Sequence, residues 1–277
     1  MNSYLIGLLV MVVASALAVG GLYAVRRIVG IETLKSFNEV AGNSFQVVGT
    51  FYAVLLGLIV VDAMTDMSDL RAVIEREANA VADVYILSRG MPEPEKSKIR
   101  ELSIAYVDAV VDDEWEAMKK GKVSAKAIVS MNRLWNTIID CKPVSDDQRD
   151  IRQMSLDRIS EAGDNRRERL ITSAHGVSPE LWTVLMIGGL LTLGFSYFLG
   201  LPSFLGQALM TVAIASTLAL NDYLVFLFGY PFSGAYCLEP DGFIVDRVIF
   251  KMKESGAAEG DLKDIDPQEI LRKRGKI

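Results

Sequence analysis

The sequence predicts an all-α integral membrane protein. Four transmembrane helices, two N-terminal and two C-terminal, flank a helical soluble insert. Three observations predict it. Apolar residues collect in long runs toward the two ends of the chain, whereas residues 65–181 read as a charged, water-soluble sequence. The runs are long enough to cross a hydrocarbon core, which takes about 20 helical residues. The middle carries apolar residues at spacings of three and four, with no strand-like alternation. The average composition, 51% hydrophobic and 23% charged over 277 residues, says less than this distribution. The expected organisation is therefore 1–64 for the first two spans, 65–181 for the insert, 182–228 for the last two spans, and 229–277 for a C-terminal segment whose end is polar and without aromatics.

The first span is expected from Tyr4 to Val25, free of charge. No basic residue precedes it and the run is long, so it reads as a retained helix rather than a signal peptide. The second is expected from Phe45 to Met64. The third runs from Trp182 to Leu199 behind Ser178-Pro179-Glu180, where Ser can cap, Pro suits the first turn and Glu suits the positive dipole end. The fourth runs from Ser203 to Phe228, and Gly200-Leu201-Pro202 turns the chain between them into an antiparallel hairpin.

After Asp62 no helix breaker appears until Gly90-Met91-Pro92. Met67, Leu70, Ile74, Ala78, Val81 and Tyr85 form one apolar stripe, so the second span is expected to continue as a single helix to about Arg89. A second insert helix follows Pro94, with Ile99, Leu102, Tyr106, Ala109 and Val110 on one face, and stops at Gly121. A third starts behind Ser124, with Ile128, Met131, Trp135 and Ile138 on its buried side. A fourth opens at the capping box Ser145-Asp146-Asp147-Gln148 and ends at His175-Gly176.

Four spans place both termini and the insert on one side of the bilayer. Arg71, Arg76, Arg166, Arg167, Arg169 and Arg247 lie on that side, which favours a cytoplasmic insert. Arg26, Arg27 and Lys35 in the short first loop count against it.

Composition and motifs exclude several function classes. The net charge of −6, with an isoelectric point near 5.0 and no basic stretch, argues against nucleic acid as a partner. Cys141 and Cys237 stand apart, with no CxxC and a single histidine, so no zinc site, metal or cofactor is expected, and two unpaired thiols are favoured over a disulfide. No phosphate-binding loop and no GxSxG elbow occur. His175 reads as a helix C-terminal cap. The acid runs Asp112-Asp113-Glu114 and Asp146-Asp147 read as helix ends or solvated faces. An enzyme is not expected.

Polar groups at membrane depth are more informative. Asn38, Asn43 and Gln46 stand at or near the start of the second span, and Asn221-Asp222 lies within the fourth. An ionised Asp at mid-bilayer is costly, so Asp222 faces protein or water, along a permeation path or a helix interface, or else it sits at the membrane surface. The second span has a face of small residues, Gly42, Gly49, Ala53 and Gly57 with Gln46, that allows close helix approach. Its other face, Phe45, Val48, Tyr52, Leu55 and Ile59, either narrows a pore or meets lipid, and periodicity does not choose between the faces. The pore-lining candidates are Asn38, Asn43, Phe45, Gln46, Gly49, Tyr52, Leu55 and Ile59.

An ordered set of residues resembles a bestrophin-like family of largely uncharacterised bacterial and plant membrane proteins. It comprises Asn38-Glu39-Val40-Ala41-Gly42; Glu77-Ala78-Asn79 with Tyr85; Tyr106 followed by Asp113-Glu114-Trp115; Arg166, Arg167 and Arg169 before Leu181-Trp182; and Pro231-Phe232-Ser233-Gly234. Gly229-Tyr230 departs from the acidic or polar lead-in expected before the Pro-Phe-x-Gly turn. The resemblance implies a bestrophin layout, a cytoplasmic insert with both termini on its side of a bacterial inner membrane, and structural roles for Glu77, Tyr106, Glu114, Trp115, Arg169, Trp182, Pro231, Phe232 and Gly234. Bestrophins are oligomeric anion channels whose second helix lines the pore. The reading that follows is a homo-oligomeric channel passing small inorganic ions through the bilayer. The net acidic insert sits more easily with cations or no selectivity than with anions. The alternative is a non-conducting scaffold or sensor whose insert binds a partner.

Overall fold

The computed structural model describes residues 3–174, 176–232, 237–256, 266, 268, 270 and 271. Among these the regular structure is helical and no strand occurs. The helix end expected at His175, the motif positions Ser233 and Gly234, and most of the tail after Gly256 lie outside the described residues. The chain forms two compact units, Met1–Met67 with His175–Cys237, and Ser68–Ala174 with Leu238–Ile277.

The first unit contains α1 (Ser3–Val29), a short α2 (Ile31–Ser36), the first part of α3 (Asn38–Leu87), α8 (Pro179–Tyr197) and α9 (Phe204–Gly229). Four of these helices, α1, α3, α8 and α9, are long and apolar enough to cross a membrane. Their outward side chains, including Leu17, Phe51, Leu58, Leu190 and Leu205, are apolar and exposed, as a lipid solvent requires. Helix α1 packs on α9 and α8, and α8 packs on α9. The caps read from sequence are present: Ser178 Oγ accepts from Leu181 N and Ser203 Oγ from Gly206 N, each at 3.3 Å. The turn between α8 and α9 lies against α2, where a Cβ on Gly200 would stand 2.7 Å from the Leu34 and Lys35 backbone, so only glycine fits.

The second unit holds the rest of α3, with α4 (Glu95–Ala109), a widened π turn (Val110–Glu114), α5 (Trp115–Met118), α6 (Ala125–Asp140), α7 (Asp146–Ala174) and α10 (Asp241–Glu254). The α3 stripe from Met67 to Tyr85 is buried as its spacing predicts. Ser124 caps α6 through Ala127 N, and Ser145 caps α7 through Gln148 N. Gln148 Oε1 reaches back to Val144 N, one residue before the box position. Ile128, expected inside, is exposed; α6 instead buries Ala127, Met131, Leu134, Thr137 and Ile138. Helix α10, not foreseen in the sequence, closes this unit by packing on α4, with Phe250 stacked on Tyr85 and Phe243 edge-on to Tyr106.

Candidate functional site

In the first unit the path candidates separate into two groups. Tyr52 and Ile59 are buried in a cluster with Leu56, Leu185 and Val225, and Leu55 packs against it. The face carrying Tyr52, Leu55 and Ile59 thus packs within this unit, and Tyr52 also borders the groove that α3 forms with Thr192, Thr217 and Asn221. The reason is local. Gly188 and Gly189 leave a notch on α8, the Tyr52 ring fills it, and the Tyr52 hydroxyl donates to the Leu185 carbonyl at 3.1 Å. Asn38 is also committed to structure. Its Nδ2 donates to the Gly200 carbonyl at 3.2 Å and its Oδ1 accepts from Gly200 N at 2.6 Å, pinning the start of α3 to the α8–α9 turn. Phe45 is half-buried.

The uncovered side of α3 carries Asn43, Gln46, Thr50, Ala53 and Gly57, beside an apolar strip of Val47, Phe51, Val54 and Leu58. Gln46, Gly49, Thr50, Ala53 and Gly57 form one wall of a groove of about 670 Å³, opposite Thr192, Thr217 and Asn221. Thr50, Thr192 and Thr217 donate to their own helix backbones, and Asn221 Nδ2 donates to the Thr217 carbonyl at 2.8 Å. Thr50, Thr192 and Thr217 were not singled out from sequence; a hydroxyl within an apolar run was the available signal. Asp222, next in the chain, lines a second cavity between α1, α8 and α9 and is met by the Tyr52 hydroxyl.

In the second unit the scattered motif residues converge. Glu77 on α3, Glu114 at the end of the π turn and Arg169 on α7 are each 0% exposed. Arg169 donates through Nε to Glu77 Oε2 at 2.7 Å, and through Nη2 to Glu77 Oε1 at 2.8 Å and Glu114 Oε2 at 2.9 Å. Arg166 holds the same Glu114 carboxylate at 2.5 and 3.2 Å. Tyr106 donates its hydroxyl to Glu77 Oε1 at 2.5 Å. The Trp115 ring lies 5.3 Å from the Arg169 guanidinium, while its Nε1 donates to the Leu238 carbonyl at 2.9 Å. Glu114 is thus buried, not part of a solvated acid run. The π turn adds a residue to the helical turn, and Glu114 and Trp115 are buried together behind it. Two carboxylates and two guanidiniums balance, so a buried charge is met at every step. Burial works against the charge of Arg169, but Glu77 and Glu114 outweigh it and hold the guanidinium above its ordinary range. Burial and the Glu77 charge also push the Tyr106 phenol well up, so it stays a donor.

The remaining motif residues lie in the first unit. Trp182 Nε1 donates to the Tyr230 hydroxyl at 3.3 Å, which gives the departure at Gly229-Tyr230 a local role. Pro231 and Phe232 are buried.

These features define a helical membrane protein with four spans and a helical unit inserted in sequence between the second and third. A family model described as Bestrophin-like domain matches residues 12–243, and the chain belongs to that bestrophin-like family. Its fold is similar to those of crystal structures of a bacterial bestrophin homologue from Klebsiella pneumoniae. One, a point variant, has a TM-score of 0.63 at 14% identity, over 91% of this chain and 98% of that one. Another, phased on zinc, has a TM-score of 0.62 at 14% identity, over 92% and 99%. No curated protein sequence matches significantly.

Proposed function

We propose that the protein is a homo-oligomeric channel for small inorganic ions, with the uncovered side of α3 lining the path. The observation that carries this reading is the division of α3 into two faces. Tyr52, Leu56 and Ile59 are spent on packing within the subunit. The opposite side leaves Asn43, Gln46, Thr50, Ala53 and Gly57 uncovered, although amide side chains are costly against lipid. Copies arranged about an axis bring these groups to water, and the neighbouring Phe51 and Leu58 supply an apolar constriction of the kind that gates by dewetting. Membership of the bestrophin-like family supports the same reading, and the proposal includes a bacterial inner-membrane location with the insert and termini in the cytoplasm.

The test is ion flux from liposomes containing purified protein. Salt-dependent flux is expected, with Ala53→Trp reducing it severalfold and Phe51→Ala raising it, both without loss of the oligomer on size-exclusion chromatography. Folded oligomer that passes no ion across a range of salts, voltages and pH would instead support the scaffold or sensor reading.

A further inference from the structure

The cavity between α1, α8 and α9 has a volume of about 420 Å³, within the range of small-molecule sites. Its lining is apolar and aromatic, with Met186, Leu218, Trp182, Tyr223 and Phe226, and with a single carboxylate, Asp222. Asp222 Oδ1 is buried and has no hydrogen-bond partner, although the carboxylate as a whole is met by the Tyr52 hydroxyl of α3. No Lys or Arg is among the described lining residues. The aromatic wall is held in place: Trp182 Nε1 donates to the Tyr230 hydroxyl at 3.3 Å, and the Phe226 and Tyr230 rings lie 5.2 Å apart.

We infer that this cavity binds an organic ammonium ion with an apolar body, whose cationic head neutralises Asp222 and faces the Trp182 and Phe226 rings. The argument is one of charge complementarity. A carboxylate within a membrane helix needs a counter-charge; the Tyr52 hydroxyl beside Asp222 is neutral, and the described lining residues include no cationic side chain. An inorganic cation would leave the apolar wall unfilled and would find few oxygen ligands. A hydrophobic ammonium satisfies both halves, with its charge on the carboxylate and the aromatic faces, and its carbon body against Leu218 and Met186. The site adjoins the α3 groove, with Leu218 lining both, but its occupancy does not require conduction.

The experiment is calorimetric titration of the full chain in a neutral maltoside detergent. The probe is benzyltrimethylammonium, and its uncharged carbon isostere, neopentylbenzene, is the control. Saturable binding of the ammonium is expected in the unsubstituted chain. Asp222→Asn should weaken it about tenfold, corresponding to about 1.4 kcal/mol. Trp182→Leu should weaken it less. Leu190→Trp keeps the carboxylate but fills the cavity mouth, and should abolish binding even where Asp222→Asn folds poorly. In nanodiscs, loss of probe binding when phosphatidylethanolamine replaces phosphatidylglycerol would support the site and assign its natural occupant to a lipid ammonium headgroup. Equal affinity for the isostere, unchanged affinity in folded Asp222→Asn, or no saturable binding would each overturn the inference.

Discussion

The two units bury polar groups by opposite rules. In the second, Glu77, Glu114 and Arg169 are withdrawn from water as ions, and each carries several charge-assisted bonds from helices distant in sequence. In the first, the buried polar groups are neutral, and most lean on nearby backbone. Thr192 donates to the Gly188 carbonyl at 2.8 Å, Ser196 to the Leu193 carbonyl at 2.6 Å, and Gln207 Nε2 to the Tyr197 carbonyl at 3.2 Å. The difference follows from the solvent. A unit that folds in water can surround an ion pair with protein on all sides. A helix in lipid must satisfy its polar side chains locally before other helices arrive. Asp222 departs from the rule of the first unit: it is a carboxylate, and the group that meets it is the Tyr52 hydroxyl of another helix.

The sharpest way to break this comparison is to remove the central cation of the second unit. Arg169→Met leaves two buried carboxylates facing Tyr106 and Trp115. Destabilisation of about 3–5 kcal/mol is expected, read as loss of the monodisperse peak or a large fall in Tm. Arg169→Lys should recover little, because a single ammonium cannot make the paired bonds to Glu77. A loss below about 1 kcal/mol for the Met variant would mean that the ions contribute nothing net. The matching test in the first unit is Gly188→Val. Its side chain enters the space of the Tyr52 ring, and about 1–3 kcal/mol should be lost. If the ring is the obstacle, combining it with Tyr52→Leu should cost clearly less than the sum of the single changes.

Much of this fold was legible before the structure because lipid and water impose different periodicities. The four spans, the continuation of α3 to Leu87 and the serine caps follow from run length, an unbroken stripe and local hydrogen bonding. The motif residues Glu77, Tyr106, Glu114, Trp115 and Arg169 were legible as a set, but their convergence was not. It depends on the π turn at Val110–Glu114, and a one-residue change of helical pitch leaves no trace in apolar spacing. The exposed side of α3 was illegible for another reason. Both of its faces suit a membrane helix, and the choice was made by Gly188 and Gly189, more than a hundred residues away in the chain. Helix α10 was missed although Asp241–Glu254 mixes charged and apolar residues at helical spacing, because it lies in the short segment beyond the last span.

A smaller effect tests whether all acids in the second unit are paired. Asp246 on α10 has a buried Oδ2 without a hydrogen-bond partner. Burial, then Glu75 and Asp83, push its carboxyl up to about 7, against the opposing pull of Lys253. Its pKa is higher folded than unfolded, so between about pH 4 and 7 the folded chain holds a proton that the unfolded chain has released. Stability should therefore fall as pH rises through that window and level off above it. The loss should be roughly 1–2 kcal/mol once partial exposure is discounted. Asp246→Asn should flatten the Tm profile between pH 5 and 8 and be the more stable form at pH 8. Parallel profiles for the two proteins would rule out Asp246 as the source.

The smallest expected change in stability accompanies the test that places the second unit relative to the bilayer. Cys141 is a poor reporter. It is 3% exposed, its Sγ lies 3.7 Å from Met91 Sδ, and burial pushes its thiol up, so little reactive thiolate forms. Val144, three residues on and 84% exposed, is the better position. In a Cys237→Ser background, Val144→Cys should change stability by less than about 0.5 kcal/mol. An impermeant maleimide added to intact cells should leave it unlabelled, and full labelling should follow permeabilisation. Labelling from outside would move the insert across the membrane. Arg26 would then carry the topology signal as well as its bonds to the Leu201 carbonyl and Gln207.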